Sequence, residues 1–107
     1  MAAPLALAID DSARREIDRI LSSSHLSEPV PSLSFGRVSG QAEEKWIVGA
    51  YDSAGAKKVE QMLRAQGIEA LYQVGTTLLC IYQHHLIPEL EGKTLYFEEQ
   101  PYRFEVR

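Results

Sequence analysis

The sequence predicts one α+β domain. Two observations carry this: strand-like alternation and helical spacing interleave along all 107 residues, and the segments are joined mostly by short connections. A third is an absence: no internal repeat, low-complexity tract or linker divides the chain, so residues 1–107 read as a single unit. The expected order is β-α-β-β-α-β-β-α-β-β, a mixed and mostly antiparallel set of strands with two or three helices.

The elements follow in order. "LALAI" (5–9) alternates weakly and reads as a short strand. "DDSARREIDRIL" places Ala13, Ile17, Ile20 and Leu21 on one helical face, with Asp10, Asp11 or Ser12 able to cap it. Asp11 with Arg15 and Arg14 with Asp18 stand four apart on the outer face. "SSSHLSEPVP" ends that helix through its serines and Pro29 and Pro31. "SLSFGRV" (32–38) and "KWIVGAY" (45–51) are strands around the polar turn "SGQAEE". "DSAGAKKVEQMLRAQG" is a second helix, capped by Asp52 or Ser53, with Val59, Met62 and Leu63 as its apolar face and Gly67 at its end. "IEALYQV" and "TTLLCIY" flank Gly75 as paired strands, and the second is apolar enough to be covered on both faces. "HHLIPELEG" gives a helical turn or two, with Pro88 early and Gly92 after it. "KTLYFEE" and "YRFEV" close the fold, with Tyr102, Phe104 and Val106 alternating.

Composition narrows function. The chain is 45% hydrophobic and 24% charged, enough for one modest core. Net charge is −4, from 11 Lys and Arg against 15 Asp and Glu, and no basic block exceeds Arg14-Arg15 or Lys57-Lys58. Phosphate neutralisation dominates nucleic-acid binding, so nucleic acid is not an expected partner. The opening "MAAPLALAIDDSARR" has no basic leader, and no apolar run reaches the ~18 residues of a membrane span. One cysteine forbids an internal disulfide. A cytoplasmic protein without a membrane partner is expected.

"LLCIYQHH" (78–85) is the stretch where chemistry could reside, because Cys80 precedes His84 and His85. A thiolate beside imidazoles could ligate metal or act as a nucleophile, with His25 a more distant fourth candidate. The spacing lacks the paired C-x-x-C and H-x3-5-H pattern of zinc sites. The alternative is a central strand with Cys80 packed inside and the histidines at its polar exit, one solvated and one capping. No nucleotide-binding glycine motif occurs, and "GRVSGQ" reads as a turn. Glu43-Glu44 and Glu98-Glu99 are sequence neighbours at strand ends and make no acid–base dyad. No catalytic residue, cofactor or enzymatic activity is expected.

"LAIDDSARREIDRIL" resembles the opening of the HesB/IscA-like (A-type iron–sulfur carrier) family, a short strand followed by Asp-Ser-Ala at the start of the first helix. "HHLIPELEGKTLYFEEQPYRFEV" is similar to the family's later strand-pairing region, with Leu90-Glu91-Gly92 as its turn. "FGRVSGQ" occupies the place of the glycine-rich turn. Val38 stands beside Ser39-Gly40 where the family has its first thiol, and no cysteine pair follows the last strand. The resemblance therefore implies a HesB-like scaffold without cluster ligands. It would associate with its own copy as a homo-oligomer or with a protein partner in iron–sulfur or sulfur metabolism. The alternative function is a small-molecule or metal-binding module using Cys80, His84 and His85.

Overall fold

The computed structural model describes residues 2–107. The elements are β1 (Ala3–Pro4), β2 (Ala8–Ile9), α1 (Asp11–Ser23), β3 (Val30–Arg37), β4 (Glu44–Tyr51), α2 (Ser53–Arg64), β5 (Leu71–Val74), β6 (Thr77–Cys80), α3 (Ile87–Leu90), β7 (Thr94–Glu99) and β8 (Tyr102–Val106), with a 3-10 turn over His84–Leu86 before α3. The expected α+β class holds. All strands join one mixed sheet in the order β1-β5-β6-β3-β4-β8-β7-β2. The hairpins β3–β4, β5–β6 and β7–β8 and the β4–β8 pair are antiparallel, while β1–β5, β2–β7 and β3–β6 are parallel.

The strand expected over 5–9 is split. Ala3 and Pro4 pair with β5 at one end of the sheet, and Ala8 and Ile9 pair with β7 at the other. Leu5 and Leu7 between them are buried. The main-chain hand-over is immediate: Leu5 N donates to Gln73 O at 3.1 Å, and Ala6 O accepts from Gly92 N at 2.6 Å. Four residue steps span at most about 14 Å, so the two ends of the sheet come within that reach of each other and the N-terminal segment bridges them.

Alternation sorts the side chains onto two faces. Leu33, Tyr72, Val74, Leu79, Ile81, Leu95 and Phe104 share the main core with Ala13 and Ile17 of α1 and with Leu86 and Leu90 at α3. Leu71 and Cys80 face the other way, onto Ala56 of α2 with Val30, Tyr51, Val59 and Leu78. The strand in "TTLLCIY" is thus covered on both faces, Leu79 and Ile81 on one and Leu78 and Cys80 on the other.

The helix ends follow local chemistry. Asp10 caps α1, accepting from Ser12 N, and Asp52 caps α2, accepting from Gly55 N. Gly67, at φ +76°, takes the left-handed position after α2, and Gly75, at φ +60°, turns β5 into β6. Arg14 does not pair with Asp18; its Nη1 donates to Thr77 Oγ1 at 3.0 Å and ties α1 to β6. Met62 corrects the expected face of α2, being 62% exposed. The helix instead packs through Ala56 and Val59 at i and i+3, a face from which Met62 is turned away.

Candidate groove between α1 and the sheet

Cys80, His84 and His85 do not assemble into a site. Cys80 lies in β6 with no exposure, under α2, and burial pushes its thiol up to about 11. It stays protonated at neutral pH, the form that neither attacks nor ligates readily. His84 and His85 are exposed on the 3-10 turn, their ring centres 6.4 Å apart, and that turn has no side-chain cap bond. His25 is exposed after α1, with φ +57°. Among the described residues no group of three or more His, Cys, Asp or Glu is placed to hold a metal ion.

Chemistry gathers elsewhere, where the second half of α1 crosses β4, β8 and β7. A cavity of about 220 Å3 opens there, floored by Trp46, Phe97 and Phe104 and walled by Ile20 and Val48. The floor is built by alternation: Trp46 in β4 stands opposite Phe104 in β8, and Phe104 opposite Phe97 in β7, so the three rings share one face. Phe97 packs edge-on against Tyr102 with ring centres 4.6 Å apart, and Trp46 does the same with Phe35 at 5.0 Å.

Beside the floor stands a polar cluster. Among the described residues Glu16 is the only buried charged one, at 7% exposure. Arg19 grips it as a fork: Nε donates to Oε1 at 2.8 Å and Nη2 to Oε2. Tyr102 donates its hydroxyl to Glu16 Oε2 and accepts from Arg19 Nη2 at 2.9 Å. The Arg19 fork holds the Glu16 carboxyl below its ordinary value, and Tyr102's own hydrogen bond to Glu16 raises the Tyr102 hydroxyl. Glu16 is therefore a paired anion, with both oxygens already accepting hydrogen bonds.

The sequence carried a signal for this cluster that composition does not show. Ala13, Glu16, Ile17 and Ile20 stand at i, i+3, i+4 and i+7, so Glu16 interrupts an apolar helical face. A carboxylate in that position requires a partner. The partner on β8, Tyr102, is 83 residues from Arg19, a distance that pattern cannot bridge.

Compared with known proteins, the chain matches no family model, no curated protein and no solved structure.

Proposed function

We propose that this chain is a non-catalytic binding domain and that the groove between α1 and β4–β8–β7 is its binding site. One observation carries the reading: Trp46, Phe97 and Phe104, packed from behind by the core, together line an open concavity. An aromatic-lined concavity is the usual form of a small-molecule site. At about 220 Å3 the cavity is below the ~300 Å3 where drug-sized sites begin, so it takes a ring or a short chain. The one buried carboxylate beside it is spoken for by Arg19 and Tyr102, which favours binding over acid–base catalysis.

The resemblance to A-type iron–sulfur carriers enters this proposal as a scaffold without cluster ligands. Its implied mode of action, association with a second copy or a protein partner, would use the lip of the same groove, where Val38 and Tyr102 stand exposed. The metal-module alternative is the weaker one, because Cys80 is buried and protonated. The lone thiol suits a reducing, cytoplasmic setting. Among the described residues no helix is long and apolar enough to cross a membrane.

Trp46 is the sole tryptophan, so its fluorescence reports the groove directly. Titration with the neutral one-ring probe 4-nitroanisole should quench Trp46 saturably. Ile20→Phe, which fills the wall, should weaken that binding by about tenfold or more, roughly 1.4 kcal/mol. A wild-type protein without saturable quenching, or a folded Ile20→Phe protein that binds as tightly as wild type, would sink the proposal.

A further inference from the structure

Arg19 lies in the wall of the groove with 57% of its side chain exposed, and its guanidinium is only partly used. Nε and Nη2 are committed to Glu16 and Tyr102. Nη1, with two N–H donors, has no partner among the described residues. An unrestrained arginine disperses its donors over many rotamers. This one is clamped by a carboxylate that is itself buried and by a tyrosine on the facing strand, so its free edge is fixed in advance.

The surrounding charge is mostly positive. The lining residues include three cations, Arg19, Lys45 and Arg103, and one carboxylate, Glu16, in a chain of net charge −4. Arg103 is balanced by Glu43 and Glu105 outside the groove. Lys45 has no ion-pair partner among the described residues.

We infer that the groove takes a small amphipathic anion, its ring or short acyl chain on Trp46, Phe97 and Phe104 and its carboxylate at Arg19 Nη1. This rests on the proposal that the groove is the binding site. A carboxylate there gains a charge-assisted hydrogen bond, and the Glu16 clamp orients Arg19 without using up its donors. A cationic ligand has no such offer, since both Glu16 oxygens already accept from Arg19 and Tyr102. A neutral ligand of the same length fills the floor but gains no charge term.

Three probes of one chain length separate these cases: octanoate, 1-octanol and octylammonium, each titrated against Trp46 fluorescence at pH 7.5 and low salt. Octanoate should bind about tenfold or more tighter than octanol, with octylammonium weakest. In Arg19→Gln the octanoate-to-octanol ratio should fall close to one. Should that variant fail to fold with Glu16 left unpaired, Arg19→Lys keeps a cation beside Glu16 while removing the fork, and the ratio should still fall several-fold. Octanol binding as tightly as octanoate, octylammonium binding tightest, or a ratio unmoved in a folded variant overturns the anion inference and leaves the groove standing as a binding site. If none of the three binds, the inference falls together with the proposed site.

Discussion

At the scale of single residues, two hydrogen-bonded acids and one buried thiol show how surroundings convert sequence into chemistry. Ser12 hydrogen-bonds to the cap residue Asp10 through its hydroxyl, and its Oγ accepts from Phe97 N at 3.1 Å, so one serine joins the start of α1 to β7. Those Ser12 contacts hold the Asp10 carboxyl below its ordinary value, as the Arg19 fork does for Glu16. A carboxyl whose folded value is depressed stabilises the fold above its unfolded value and loses that contribution as pH falls through the folded value. Unfolding free energy from urea melts should therefore decline as pH drops below about 4.5, the ordinary value of a glutamate. Glu16→Gln should flatten part of that slope, and an unchanged slope would remove Glu16 from the account. Cys80 was legible as a core residue from the apolar run around it, and its reactivity follows. Its thiol should resist Ellman's reagent in the folded protein at pH 8 and react at once in urea; prompt native reaction would contradict its burial. Glu16 was legible only as an interruption of an apolar stripe, because its partners come from another turn of α1 and from β8.

At the scale of elements, the strands and helices beyond residue 9 were legible in kind and order, since alternation, caps and left-handed glycines are local signals. Phases and joints were not. Met62 was assigned to the buried face of α2 because Val59, Met62 and Leu63 share one helical stripe, but the sheet meets the helix at Ala56, and contact position cannot be read from periodicity. The joint between β3 and β6 is a second case. Main-chain pairing there consists of Ser32 opposite Cys80. Beyond the end of β6 the side chain of Gln83 takes over: its Oε1 accepts from Phe35 N at 2.8 Å and its Nε2 donates to Phe35 O at 3.1 Å. One amide thus replaces a strand residue. Gln83→Ala should cost about 1–3 kcal/mol by leaving both Phe35 groups unpaired. Gln83→Glu should also destabilise, because a carboxylate can accept from Phe35 N but cannot donate to Phe35 O. Urea unfolding of the three proteins decides it, and variants within about 0.5 kcal/mol of wild type would show that water substitutes for the clip.

At the scale of the molecule, the sheet is closed by its shortest strands. The sequence offered one weak strand at 5–9, whereas the structure uses residues 3–9 as a staple that pairs in parallel with β5 and then with β7. No local pattern signals this, because two residues of pairing at each end leave little periodicity, and the partners lie some 70 to 90 positions away. The staple matters because an open sheet edge is a template for another chain. Leu5 and Leu7 fix it from within, buried against the same core that α1 covers, while the hand-over at Leu5 and Ala6 satisfies Gln73 O and Gly92 N. Deleting residues 2–5 removes the β5 contacts, including the Leu5 side chain, and leaves the β7 contacts in place. Burying one leucine contributes roughly 1.5–3 kcal/mol, so the deleted protein should unfold at lower urea. It should also form concentration-dependent dimers or aggregates through the exposed β5 edge, visible in sedimentation velocity. Leu5→Ala separates the two effects: it weakens the core by about 2–5 kcal/mol but keeps the main-chain hand-over, so it should lose stability and remain as well dispersed as wild type. Equal self-association in both variants would mean that the leucine, not the closed edge, keeps copies of the chain apart.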